Sequence, residues 1–200
     1  MNTKKPYHKE NLRRDLLEAG RAYVKAHGHL NLSIRTLAQQ VGVSPGAPYH
    51  HFPDRRSFLL ALAIEGFREM MDGTRIVAAA KMSAAEKLRR MGILFIRFTE
   101  ENPYLIDLMY ESELTTPTLD PELLQYQVMG HDALRNCIVE ALPGLADAEA
   151  DLRVVTYWSA IYGYATMRKK GVIHTNSSRL VSLDFSEAVV ERVGLAVLTP

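Results

Sequence analysis

Several features that would place this chain in other protein classes are scarce or missing. The 200 residues include one cysteine, Cys137, so no disulfide can form within the chain, which is typical of proteins in a reducing cytosol. No apolar run is long enough to span a bilayer, and residues 1–6 lack the apolar core of a secretion signal. We therefore expect a soluble, cytoplasmic protein with no membrane partner.

Motifs of common enzymes and metal sites are also missing. The sequence contains no P-loop, no GxGxxG, no HExxH and no CxxC. Two adjacent histidines, His50 and His51, would point apart on a helix, so phosphate oxygens suit them better than a metal ion. Cys137 has no evident activating partner and fits a buried apolar position. The sequence therefore predicts no catalytic residues, no cofactor and no metal site.

Charge is nearly balanced over the chain but unevenly distributed. The net charge is +1, whereas residues 1–60 hold ten Lys or Arg and four Asp or Glu side chains, a net of +6, which leaves −5 for the remainder. Five of the seven histidines also lie in residues 1–60. A basic N-terminal part on an acidic remainder favours nucleic-acid binding at one end of the molecule.

Residues 33–56 have the pattern of a helix-turn-helix. Ser33 is a suitable N-cap for a first short helix, and Gly42 can end that helix in a left-handed conformation. Ser44 is a suitable N-cap for a second helix, and Pro45 would occupy its first position, where a missing N–H matters least. The order of cap, helix, glycine turn, cap and helix predicts a helix-turn-helix.

The second of these helices combines a small start with a polar end. Gly46 and Ala47 would let the backbone approach a groove closely, and Tyr49, His50 and His51 would offer hydrogen bonds to phosphate oxygens. An ordinary helix corner with a solvated aromatic tip would show the same turn pattern. The Tyr-His-His-Phe run followed by Pro-Asp-Arg favours DNA binding.

This stretch resembles the DNA-binding domain of TetR-type transcriptional regulators. The positions that agree with the family pattern at fixed spacing are Ser33, Ile34, Arg35, Leu37, Ala38, Val41, Gly42, Val43, Ser44, Gly46, Tyr49, Phe52 and Arg55. One departure is Pro48, where many members carry an aliphatic residue. Because proline lacks an N–H and restricts the preceding residue, we expect an irregular start to the recognition helix.

The resemblance implies sequence-specific binding of double-stranded DNA, with repression that a small ligand relieves. It assigns base edges to Arg35, Gly46 and Ala47, and phosphates to Tyr49, His51 and Arg55. The full set of predicted DNA-binding residues is Ser33, Arg35, Thr36, Ser44, Pro45, Gly46, Ala47, Tyr49, His50, His51 and Arg55. The alternative is a small helical enzyme or adaptor protein in which the helix-turn-helix is incidental.

The fold class predicted for the whole chain is all-α. A three-helix DNA-binding head is expected over residues 1–54, and a larger helical bundle for ligand binding and dimerisation over residues 55–200. Apolar residues at three- and four-residue spacing predict body helices near 83–101, 121–142 and 148–170, a shorter helix that starts at 103 and a last helix that starts at 184, with a polar connector over 174–183. No alternating pattern of a strand is convincing.

Trp158 and Gly163 in the body resemble the Trp-x-x-x-His-Gly signature of one TetR subfamily, except that Tyr162 replaces the histidine. Soft and aromatic residues are also plentiful in the body, and methionine and aromatic side chains can line an adaptable cavity. The predicted ligand-binding residues are Phe67, Met70, Met91, Phe95, Phe98, Met109, Tyr126, Met129, Trp158 and Tyr162. Simple core packing remains the alternative for each of them.

The last two long helices predict a symmetric homodimer. Both carry apolar stripes, that of the final helix including Val189 and Val193, and little of the same chain remains to cover it. A single recognition helix per chain implies that a palindromic operator is read by two copies, with half-sites about one turn of DNA, ~34–36 Å, apart.

Overall fold

The computed structural model describes residues 9–116, 118–173 and 183–199, and this described part is helical, which confirms the predicted all-α class. The helices in chain order are α1 (Lys9–His27), α2 (Ile34–Gln40), α3 (Arg55–Ala79), α4 (Ala84–Glu101), α5 (Pro103–Met109), α6 (Ser112–Thr115), α7 (Pro121–Ala141), α8 (Asp147–Lys169) and α9 (Leu183–Leu198). A 3₁₀ helix, Ala47–His50, lies between α2 and α3. The predicted connector lies, except for Leu183, outside the described residues.

The chain divides into two compact units, but not at the position expected from the sequence. The first unit comprises residues 1–67 and 104–120, and the second comprises residues 68–103 and 121–200. The head boundary expected after residue 54 therefore falls inside the first unit. The physical reason is that α3 packs its first half there, since Phe58, Leu59 and Leu62 are buried.

The first unit is close-packed around α1 and the start of α3. A Cβ added to Gly20 would lie 2.5 Å from the Phe58 ring, so α1 and α3 approach where the side chain is smallest. Phe52 meets Phe58 edge-on, with ring centroids 4.9 Å apart. A Cβ on Gly66 would lie 2.8 Å from the Met109 sulfur, which shows how α5 joins this unit.

The second unit is built around α4, which packs against α7, α8 and α9. Ser83 caps α4, its hydroxyl accepting a bond from the Glu86 amide at 3.2 Å. Hydrogen bonds from Arg89 and Arg90 hold the pKa of Glu86 at about 2. Inside the unit, Tyr157 donates to the Leu88 carbonyl at 2.7 Å, and its burial raises the pKa of the phenol.

Two kinds of feature are absent from these described residues. None of their helices is long and apolar enough to cross a membrane. Nor do three or more histidine, cysteine, aspartate or glutamate side chains gather there in a way that could hold a metal ion. Cys137 is buried, and desolvation raises the pKa of its thiol to about 11.

Candidate nucleic-acid interface

Helix α2 forms where the capping signals place it. The Ser33 hydroxyl accepts a bond from the Thr36 amide at 3.4 Å, and Leu37 is buried. At the other end Gly42 has a φ of +78°, its amide bonds to the Gln39 carbonyl, and the next amide bonds to Ala38. This paired closure is a Schellman motif, which the left-handed glycine permits.

The recognition element that follows is a single 3₁₀ helix, Ala47–His50, instead of a longer α-helix. Its amide bonds run from Ala47 to the Ser44 carbonyl at 3.0 Å and from Tyr49 to the Gly46 carbonyl at 3.2 Å. Pro48 is buried and has no N–H to donate, which interrupts an α-helical ladder. The irregularity expected from Pro48 is present, and it extends over the whole element.

The reading face, defined here as Arg35, Thr36, Gly46, Tyr49 and His50, is exposed to solvent. Among the described residues, no hydrogen bond or ion pair holds the side chain of Arg35, Tyr49 or His50. These three polar groups stay available to an external partner. The pattern suits a surface that contacts a polar, hydrogen-bonding ligand such as DNA.

Gly46 stands at the centre of this face without an internal reason to be glycine. Its φ of −87° and ψ of −21° are open to any residue. A Cβ added there would meet no atom of the part of the chain that the structure describes within 4 Å, its direct chain neighbours apart. Neither the backbone conformation nor packing against the described residues requires glycine at this position.

The other predicted DNA-binding residues differ in exposure. Ser33, Ser44 and Pro45 are exposed, whereas Ala47 and His51 are half-buried. The His51 ring lies against Phe52, with centroids 6.4 Å apart, which places that imidazole partly within the first unit.

Arg55 lies in a different environment from the one expected for a phosphate contact. Its Nη2 group donates to the carbonyls of His29 at 2.8 Å and Leu30 at 3.0 Å, and its Nε donates to the Leu32 carbonyl at 3.4 Å. Its Nη1 group donates to the Glu113 carboxylate at 2.9 Å. The guanidinium thus binds groups of its own chain.

Three further residues of this neighbourhood carry no local sequence signal. Arg56 donates to the backbone carbonyls of Glu113, Leu114 and Thr118 at 2.9–3.1 Å. The buried His29 places Nε2 3.2 Å from a Glu111 carboxylate oxygen. The partners are separated by 57 to 82 positions, so the sequence offers no spacing that could reveal them.

The predicted ligand-binding residues fall into separate groups. Phe67 and Met109 belong to the first unit and the other eight to the second. In the second unit Phe95, Trp158 and Tyr162 form an aromatic trio. The centroid of the Trp158 ring lies 4.5 Å from that of Phe95 and 6.1 Å from that of Tyr162.

The other predicted ligand-binding residues of the second unit are spread over α3, α4 and α7. Met91 and Phe98 are buried on α4, and Met70 is half-buried on α3. The Tyr126 hydroxyl accepts a bond from Arg68 at 3.2 Å, and Met129 lines an open groove of about 580 Å³. The groove also contacts Thr74, Arg75, Ala78, Leu124, Gln125, Val128, Asp132, Ala133 and Asn136.

Helices α8 and α9 expose apolar side chains that the described residues leave uncovered. Leu152, Val155 and Met167 on α8 are 59%, 56% and 43% exposed, and Leu195 on α9 is 58% exposed. Their spacing along α8 follows the helical repeat. Among the described residues, no atom of another element lies within 4 Å of a Cβ added to Gly163 of α8.

Comparisons with known proteins agree with this geometry. Residues 16–62 match the family profile described as "Bacterial regulatory proteins, tetR family". The HTH-type transcriptional repressor AcnR of Corynebacterium diphtheriae is 38% identical over 60 residues, which are 30% of this chain and 32% of AcnR. The chain therefore matches about a third of the length of this relative. The matched family and this relative are transcriptional regulators and not enzymes.

Solved structures extend the likeness in fold to nearly the whole chain. A protein of unknown function from Rhodococcus sp. RHA1 has a TM-score of 0.79 at 24% identity, covering 98% of this chain and 97% of that one. The Bacillus subtilis regulator FadR, solved with stearoyl-CoA, has a TM-score of 0.68 at 18% identity, covering 90% and 96%. The resemblance to the Trp-x-x-x-His-Gly subfamily stays a prediction. The profile match over residues 16–62, the similar repressors and the similar all-helical folds together support a TetR-family regulator.

Proposed function

We propose that this protein is a sequence-specific DNA-binding transcriptional regulator of the cytoplasm, a repressor that a small hydrophobic or amphipathic ligand releases from a palindromic operator. The observation that carries the proposal is the reading face, where Arg35, Tyr49 and His50 are exposed and bind no group of the described chain. AcnR, a transcriptional repressor, is similar over 60 residues of this chain, and the matched family profile covers residues 16–62, which include the reading face.

Electrostatics support DNA as the partner. The net charge of +6 over residues 1–60 favours association with a polyanion, and the exposed guanidinium of Arg35 can bind a guanine edge through two parallel donors. Thr36 lies beside it on the same exposed part of α2. Base reading is therefore assigned to Arg35, and backbone positioning to Tyr49 and His50.

The variant Arg35→Ala tests base reading. We expect a loss of about 1–3 kcal/mol of discrimination at one position of each half-site, because a bidentate contact to a single base is removed. The measurement is titration of operator and random duplexes at one salt concentration. Arg97→Ala is the matched control, since it removes an exposed arginine from α4 in the second unit. Equal losses on operator and random DNA for Arg35→Ala would exclude base reading.

The ligand is proposed to bind in the second unit beside the aromatic trio of Phe95, Trp158 and Tyr162. Trp158 and Tyr162 are half-buried, so part of each ring is accessible, and the Tyr162 hydroxyl can orient a polar group. FadR, whose fold is similar, was solved with stearoyl-CoA, a ligand with a long apolar chain. Such a ligand releases DNA only if it favours a conformation that fits the operator less well.

Trp158 makes this site measurable, because it is the only tryptophan of the chain. We expect fatty acids or acyl-CoA esters to change its emission in a saturable manner and to weaken operator binding over the same concentration range. The variant Trp158→Phe keeps an apolar ring and removes the tryptophan signal, so any emission change that remains comes from the compound itself or from tyrosines. Saturable changes at Trp158 with unaltered operator affinity would contradict the release mechanism.

A further inference from the structure

Arg55 and Arg56 are the first two residues of α3. Arg55 binds backbone carbonyls of residues 29–32, and Arg56 binds backbone carbonyls of residues 113–118. A guanidinium carries five N–H donors, and four of those of Arg55 are used in bonds to three carbonyls and one carboxylate. Recognition of a phosphate by arginine commonly uses two parallel N–H groups, a geometry that Arg55 cannot offer while these bonds hold.

The three carbonyls bound by Arg55 belong to one short turn. His29, Leu30 and Leu32 lie between the end of α1 and Ser33, the N-cap of α2. Because α2 starts directly after this turn, its orientation depends on where the turn is held. Because Arg35 lies on α2, a shift of this turn would also move Arg35 and the reading face.

Residues 111–118 form the second segment that these side chains bind. Glu113 binds Arg55 through its carboxylate and Arg56 through its carbonyl, while Arg56 also binds the Leu114 and Thr118 carbonyls. The buried His29 adds a second tie to the same segment through Glu111. All of these residues belong to the first unit.

We propose that Arg55, Arg56 and Glu113, here named the arginine clamp, are positioning residues for DNA recognition that do not themselves contact DNA. The clamp fixes the turn before α2 by charge-assisted bonds to carbonyls, which are stronger than neutral ones. This proposal rests on the proposed DNA-binding function, and it gives an acidic residue 58 positions from Arg55 a supporting role in binding a polyanion.

A charge-retaining variant separates the clamp from a phosphate contact. Lysine remains a good point-charge partner for phosphate but cannot reach three carbonyls and a carboxylate at once. We expect Arg55→Lys to weaken binding to a duplex selected by the wild-type protein by about tenfold, with an unchanged salt dependence. Wild-type affinity for Arg55→Lys, together with a salt slope reduced by about one for Arg55→Ala, would identify a phosphate contact and overturn the proposal.

Glu113→Gln tests the clamp because simple electrostatics and the clamp predict opposite changes in DNA affinity. Removing a negative charge from a DNA-binding unit should tighten binding by simple electrostatics. The clamp predicts the opposite, a loss of about two- to fivefold, because an exposed ion pair that holds Arg55 is weakened. Glu18→Gln, an exposed acid on α1, is the control expected to bind equally or more tightly. Tighter binding for both variants would overturn the proposal.

Amide hydrogen exchange gives a readout that does not depend on DNA. In full-length Arg55→Lys, the amides of residues 28–33 should exchange faster than in the wild type, while those of α8 stay unchanged. Unchanged exchange over residues 28–33 would contradict the clamp even if DNA affinity fell. Failure of the wild-type protein to bind any duplex would instead contradict the proposed function, and with it the role of the clamp in DNA recognition, whatever the exchange result.

Discussion

Replacement of Val155 and Leu195 by aspartate is expected to give soluble monomers that no longer distinguish the operator from other DNA. Both side chains are more than half exposed and lie on α8 and α9, the two helices proposed to form the dimer. Burying two carboxylates against the partner copy would cost far more than an exposed apolar residue contributes. A monomer has one reading face, so binding should fall to the non-specific level, a loss on the order of 10³-fold.

The measurement is sedimentation equilibrium at micromolar concentration, followed by operator titration. Ile76→Asp is the matched control, because Ile76 is 73% exposed on α3 and lies outside the proposed interface. It should leave both the dimer and operator binding intact. A wild-type protein that sediments as a monomer, or a double variant that stays dimeric, would contradict the proposed interface.

Gly46→Leu is expected to abolish operator binding while leaving the fold intact. The backbone at residue 46 suits any side chain and the space around it is empty within the chain, so the free energy of unfolding should be unchanged or raised by about 0.5–1 kcal/mol. A leucine there would hold the backbone away from the DNA groove and disrupt several contacts together.

Thermal unfolding and operator titration of the same sample check this expectation. Ala26→Leu adds apolar volume on an exposed part of α1 and serves as the control that should bind normally. If Gly46→Leu keeps its operator affinity, the reading face does not approach DNA at Gly46. If it unfolds instead, the account of an unoccupied space around Gly46 is wrong.

Local chemistry made much of the fold predictable from the sequence. Ser33 and Ser83 cap helices because their hydroxyls reach an amide three residues on, and Gly42 ends α2 because it alone accepts a positive φ without strain. The missing N–H of Pro48 likewise acts within its own turn. Each of these signals needs only a few neighbouring residues.

Features that depend on distant partners were not predictable in the same way. Arg55 follows a family pattern that implies a phosphate contact, yet its partners include Glu113, and no local spacing connects the two. In the proposed dimer interface, the residues indicated by the sequence pattern also differ from those that the structure exposes. Val189 and Val193 follow the apolar stripe of α9 but are half-buried within the chain, whereas the exposed positions are Val155 and Leu195.

Selection of DNA by the wild-type protein from a random-sequence duplex library tests the central claim most directly. A dimer with one reading face per copy should enrich a palindrome whose half-site centres lie about 10 base pairs apart, or a multiple of that distance, and should release it as salt is raised. Failure to enrich any sequence, or enrichment of single half-sites with no fixed spacing, would contradict the account.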